Sequence, residues 1–466
     1  AIIASDAIVE NDGASKPAVF LKSNGSLEVQ GAILAHNNFA ISGNGIGADN
    51  TSVVIKDVAS VRSEAAAAIY HPQTGTLEVS GGAIEGVTGV EMRSGTLNVS
   101  GNASITGTGS PFAVASNANG ATTTGAGIAV VQHVTKNNID VTISGGTISG
   151  ASALSVSNPE NNDEADIAKV KVSVIGGTLN AINGGADVVQ SIKEDFITGG
   201  TFNKVLDTKY YEESIYQQNA QDATDEPGSV VPRAFEIKYD LGGGMLAGTA
   251  KNPASYTYFD ESFTLANPER AGYTFAGWSM KRDGSGKRYH TGDDLKNVFD
   301  TEGDHTLYGV WKTATDTPFR IRVCKTNVAG DKEIEEVLHL QGETNCSVRQ
   351  ALFDFYEMDS LEKVFHGFKV VDSNALNTTI RRDGSTEVTI HLQRKTYRVI
   401  VMSETEKPYY EKECIYEEEI TLPTELEGVG NVARYSSENG MNYSGDLPFS
   451  VMDDMTLVPQ HSVCYW

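Results

Sequence analysis

No cysteine occurs before Cys324, and the four present (Cys324, Cys346, Cys414, Cys464) form no Cys-x-x-Cys pair, so a zinc finger or ribbon is not expected. No apolar run approaches the ~18 residues of a membrane-spanning helix, so direct membrane insertion is not expected either. Positive charge is short: 36 Lys and Arg against 61 Asp and Glu leave a net charge of −25. Phosphate backbones and anionic lipid surfaces are bound by clustered Lys and Arg, so nucleic acid and acidic membrane are poor partners. Histidines such as His36, His71 and His133 are scattered, without metal-ligand spacing, and neither a Gly-x-Ser-x-Gly elbow nor a phosphate-binding loop occurs. An initiator Met and a secretory leader are both missing at Ala1, which suggests a processed or trimmed piece.

What is there is glycine and repetition. Residues 75–81 read Gly-Thr-Leu-Glu-Val-Ser-Gly and residues 95–101 read Gly-Thr-Leu-Asn-Val-Ser-Gly. Apolar and polar residues alternate in each copy, as in a strand with one buried face. A period of about twenty residues leaves no room for a helix between strands. Echoes at 26–29, 52–55, 141–146, 172–177 and 196–202 extend the pattern, so residues 1–205 are expected to form a parallel β-helix of seven or eight coils. It should be right-handed, with Leu27, Val29, Leu77, Val79, Leu97 and Val99 pointing inward. Residues 206–232 would cap the last coil and lead into a linker.

Two insertions break the rhythm. Residues 116–127 are small and polar, residues 158–166 acidic, and both read as solvated loops leaving one face. Asp163, Glu164 and Asp166 are the metal candidates, with calcium as the only cofactor they suggest, although the glycine of an EF-hand loop is missing. Other charges on the coils are Lys56, Asp57, Arg62, Glu85, Glu91 and Arg93. Glu28 and Glu78 hold the same place in the repeated unit, with Asn98 in the next copy. Stacked carboxylates would suit a glycosidase, but outward-facing strand residues are the plainer reading, and no catalytic residue is assigned.

Residues 233–313 form a distinct module. Its core sequence is Pro268-x-Arg270-x-Gly272-Tyr273-Thr274-Phe275-x-Gly277-Trp278, followed by Tyr289-x-x-Gly292 and Leu307-Tyr308-x-x-Trp311. These residues resemble the Listeria–Bacteroides repeat, the B-repeat of internalin B. The resemblance implies a small, non-enzymatic β-grasp-like module of bacterial surface proteins. Gly272 and Gly277 would make its turns, and Tyr273, Trp278 and Trp311 would form its core; a sugar-stacking platform is the alternative. Residues 314–395 keep the size without the signature. There Ser347 is expected to cap a helix carrying Val348, Ala351, Leu352 and Phe355 on one face. Residues 396–466 read as a worn copy of the repeat-like module. Cys324–Cys346 and Cys414–Cys464 would each staple one module, with free buried thiols as the alternative. The first 205 residues also resemble the pectin-lyase-like β-helix of bacterial surface proteins and polysaccharide lyases.

The sequence therefore implies a mainly β, extracellular protein of the bacterial cell surface or wall. A β-helix head on three β-grasp-like modules would bind a host or bacterial surface glycan or protein. A polysaccharide lyase or glycosidase on the β-helix, and a phage fibre or decoration protein, are the alternatives.

Overall fold

The computed structural model describes every residue except 57, 118–119, 222–225, 261–264, 291–292, 294–302, 404–406 and 461–466. Asp57, Gly292 and Cys464 therefore lie outside the described residues. The chain divides into two compact units: residues 1–236 with 255–261 and 301–303, and the remainder.

The first unit is a parallel β-helix built from the repeat. Strand Gly75–Val79 pairs in parallel with Thr51–Ile55 on one side and Gly95–Val99 on the other, which sets Leu77 against Val53 and Leu97. Because each coil repeats the alternation in register, apolar side chains stack on apolar side chains and each coil covers the next. This ladder runs from Ile2–Ile3 through Ser26–Val29 to Ile139–Ile143 and Val170–Ala181. A second ladder holds Ile8–Asn11, Ala32–Ala35, Ser60–Ser63, Ala83–Gly86, Ser104–Gly107 and Thr147–Gly150. A third holds Val19–Phe20, Ile41–Ser42, Ile69–His71, Val90–Met92, Ala126–Val131, Ser152–Ser157 and Val189–Ser191. Leu27, Val29, Leu77, Val79, Leu97 and Val99 are all buried in the single core the ladders enclose. The last coil is closed by antiparallel pairing of Glu226–Pro232 with Tyr216–Gln221 and, at Ser229, with Ile197–Phe202. Leu206, Tyr210, Tyr211 and Val230 complete the core there. A reversed strand ends a ladder that would otherwise expose an unpaired edge.

Three small β modules follow. In the first, the sheet order is Ser255–Thr257, Ala234–Asp240, His305–Thr313, Tyr273–Ser279. In the second it is Glu333–Gly342, Thr317–Thr326, Glu387–Arg394, Phe368–Val370. In both, the two central strands are parallel and the outer pairs antiparallel, the 2-1-4-3 order of a β-grasp sheet. The third module keeps that order with Tyr410–Ile415, Thr396–Val401, Met455–Gln460 and Arg434–Ser437, and adds Asn442–Ser444 at the edge.

Ser347 caps helix Val348–Tyr356 by accepting the Gln350 N–H at 3.1 Å, and Val348, Ala351 and Leu352 are buried. Phe355 is not on the packed face: it is 58% exposed and makes an edge contact with Tyr356 in the last turn. The second and third modules share one hydrophobic core, continuous from Phe319 to Leu457. Tyr416 joins them, packing on Phe368 and Tyr397 with Gly367 pressed against its ring.

The expected Cys324–Cys346 bridge is absent, and both residues, like Cys414, are free thiols. The reason is register. Cys346 lies near the Thr317 end of strand Thr317–Thr326, where Thr317 bonds Thr344, whereas Cys324 sits toward the other end. Seven residues of strand cover about 23 Å, and a disulfide needs Cα atoms within about 7 Å. The Cys414–Cys464 pairing falls on a residue outside the described ones.

Candidate functional site

A group of buried polar side chains lies on the third ladder of the β-helix. Its register places Glu91 beside Tyr70 and Met92 beside His71. Glu91 and Arg93 are both buried, with Arg93 Nε 3.0 Å from Glu91 Oε1. An ion pair taken out of water needs its remaining oxygens satisfied. Glu91 meets that need by accepting the N–H groups of Thr122 and Thr123, each at 3.0 Å, and the Thr122 hydroxyl at 3.1 Å. The segment expected as a solvated loop at 116–127 is thus folded back at its C-terminal end, with Thr122 and Thr123 buried.

Both insertions converge on His133. Its Nε2 lies 2.8 Å from the Asn117 carbonyl, and Glu160 accepts from the Ser116 hydroxyl at 2.9 Å. Asn162 donates to the His133 carbonyl at 3.3 Å. Beside them opens a cavity of about 150 Å³, lined by the 43–46 turn, Tyr70, Pro72, Arg93 and residues 133–135. The guanidinium of Arg93 lies 5.2 Å from the Tyr70 ring centre, and Phe39 stacks on the same ring at 4.8 Å. Burial pushes the Tyr70 phenol up. Arg93 Nη2 and Thr135 Oγ1, atoms of two residues that line the cavity, are buried and have no hydrogen-bond partner among the described residues. Unpaired buried donors cost about 1–3 kcal/mol each, so such a pair marks a place where an acceptor is wanted. The exposed Ile46 and Val134 add an apolar rim.

The sequence candidates are placed differently. Asp163, Glu164 and Asp166 do not converge on a cation site. Asp163 caps the short helix Glu164–Ile167 and Glu164 is exposed. Asp166 is held by Lys136 at 2.5 Å and Lys169 at 2.9 Å. The two ammonium groups pull its carboxyl down to about 2, and they supply the positive charge that calcium would bring. Glu28 and Glu78 are separated by Val54 in the ladder, about 10 Å across two strand spacings. Glu78 accepts from Asn98 at 2.7 Å. Glu28 is held below its ordinary pKa by a hydrogen bond from Gln30 and the charge of Lys56. A general acid at a glycosidic oxygen needs the opposite shift.

The second ladder assembles a charge cluster that sequence spacing hid. His36 Nδ1 lies 2.8 Å from Glu64, and its Nε2 lies 2.9 Å from Glu10 and 3.3 Å from Asp12. The two hydrogen-bonded carboxylates, Glu64 and Glu10, are 28 and 26 residues away in sequence, one coil on either side. The coil length was the signal available for finding them.

In the first small module Trp278 is fully buried, with edge contacts to Tyr239 and Phe275. Trp311 is half-buried, donates from Nε1 to the Leu241 carbonyl at 3.0 Å, and lies over Gly242 and Gly244. Tyr273 is half-buried under Arg270, whose guanidinium is 3.9 Å above its ring. Gly277 follows the bulge at Ala276 with φ +108°, and a Cβ there would meet His290 at 2.7 Å. At Gly272, φ +74°, a Cβ would lie 2.6 Å from the Arg382 backbone.

The family model of the Listeria-Bacteroides repeat domain matches residues 235–310. Such repeats occur in bacterial surface proteins, typically extracellular ones. No curated protein matches the chain. Among the described residues no helix is long and apolar enough to cross a membrane.

Proposed function

We propose that the chain is an adhesive part of an extracellular bacterial surface protein. In this reading a right-handed, pectin-lyase-like β-helix is the binding head and the three small modules are its stalk. The ligand is a surface glycan, and binding breaks no bond. The observation that carries the proposal is the cavity beside Arg93, where two buried donors lack acceptors and Ile46 and Val134 offer an apolar rim. A sugar presents this mixture, hydroxyl or carboxylate oxygens beside apolar C–H faces. The repeat domain supports the surface location.

The test is a glycan and matrix-protein array probed with the full chain, followed by titration of the best hit. Thr135→Val should weaken binding by about five- to tenfold, the worth of one hydrogen bond. Ile46→Asp should weaken it further while leaving the melting temperature unchanged. Retention of the bound glycan at its original length after prolonged incubation is expected. Cleavage products would replace adhesion with catalysis, and hits confined to proteins would remove the glycan reading.

A further inference from the structure

The outer face of the second small module carries a different constellation. Strand Thr317–Thr326 lies between Glu333–Gly342 and Glu387–Arg394, with Cys324 opposite Glu335 on one side and His391 on the other. Phe319, Ile321 and Val323 fill the core, so alternation puts Cys324 on the outer face with Arg320 and Arg322. Its neighbours cover it to 7% exposure. Arg322 pairs with Glu335 and Glu387. Cys324 is left with Glu333 and His391, and one ligand atom from each of the three residues lies within 4.8 Å of the other two. Asp372 holds His391 from behind, its Oδ2 2.9 Å from Nδ1 and its Oδ1 accepting the His391 backbone N–H at 2.8 Å. That leaves Nε2 for a ligand.

We propose that Cys324, His391 and Glu333 form a zinc site, with Asp372 as the residue that orients His391. The donor set is a thiol, an imidazole and a carboxylate, which selects zinc over calcium or magnesium. A carboxylate behind the ligating histidine is the usual support for such a site, fixing both tautomer and ring direction. Ligands about 2.0–2.3 Å from tetrahedral zinc stand about 3.6 Å apart, so closing the site takes side-chain movements of about 1 Å. Glu333 is exposed and can make the larger of them, while His391 keeps its bond to Asp372. The fourth position is left to water. The thiol gives up its proton as the Zn–S bond forms, so one proton is released per metal bound and affinity falls in acid. A second cluster of comparable dimensions among the described residues, Glu10, Asp12 and His36, differs in kind. It has no sulfur, and both ring nitrogens of His36 already face carboxylates.

The full chain, stripped with a chelator, is titrated with Co²⁺ and then Zn²⁺. One equivalent of Co²⁺ should bring up a thiolate-to-cobalt charge-transfer band with tetrahedral ligand-field bands, and Zn²⁺ should displace it. Cys324→Ser should abolish the charge-transfer band, and His391→Gln should abolish tetrahedral binding. Asp372→Asn should weaken Zn²⁺ binding 10–100-fold. His391 and Asp372 are exposed enough for their variants to fold, and metal-free melting temperatures equal to the parent's would verify it. No thiolate band, a band that survives Cys324→Ser, or His36→Gln abolishing the binding would each overturn the proposal.

Discussion

His36 and His71 respond to pH in opposite directions. Hydrogen bonds to Glu10 and Glu64 raise the His36 ring to about 9, from an ordinary 6.5. Below 6.5 the folded and unfolded chains both hold this proton and the stabilisation is complete; it is lost as pH rises through 9. The melting temperature should therefore fall between pH 7 and 10, and His36→Gln should flatten that fall. Burial lowers His71 to about 4, with Nδ1 donating to the Ser94 carbonyl at 3.1 Å. From pH 6.5 down to 4 the unfolded chain takes up a proton that the folded chain refuses, so stability drops across that window. A denaturant midpoint that falls less from pH 7 to 4 in His71→Gln than in the parent would verify the assignment. At the cysteines, non-reducing peptide mapping should find no bridge between Cys324 and Cys346.

Within elements, turns and packed faces decide the cost of a change. Gly95 closes the turn before its strand at φ +82°, and a Cβ there would sit 2.5 Å from the Gly75 carbonyl of the adjacent coil. Gly184 has φ +78° but nothing within 4 Å. Gly184→Ala should cost about 1–2 kcal/mol from backbone strain alone. Gly95→Ala should cost about 2–4 kcal/mol, because the coil above must also move. Equal losses in urea denaturation would show that coil spacing is not what selects glycine. In strand Tyr273–Ser279, Trp278→Ala should cost about 3–5 kcal/mol. Trp311→Ala should cost less, since that side chain is only partly buried.

For the molecule as a whole, the unit of cooperativity is larger than the module. The second and third modules bury their apolar faces in one core, with Tyr416 against Phe368 and Tyr397, and Arg394 bonded to the Tyr416 carbonyl at 2.8 Å. Residues 314–466 should therefore open as one block. Native-state hydrogen exchange should show Phe319–Val323 and Val399–Val401 losing protection at the same denaturant concentration. Tyr416→Ala should separate the two transitions. If they are already separate in the parent chain, the shared core does not couple the modules.

The sequence alone determined the β-helix, because a strand with one apolar face and a period near twenty residues has few ways to bury that face. It also determined the repeat-like module, through Gly272, Tyr273, Gly277 and Trp278 in order, and the Ser347 cap. It misjudged Phe355, since helical periodicity does not say where the packed surface stops. The tertiary structure alone decided which polar groups meet. Glu91 and the end of an insertion, His36 and its three carboxylates, and Cys324 with His391 are each joined by strand register across long stretches of chain. The same register keeps Cys324 from Cys346. Local pattern records which side of a strand a residue faces, and its neighbour on the next coil or strand is set only when the whole ladder closes.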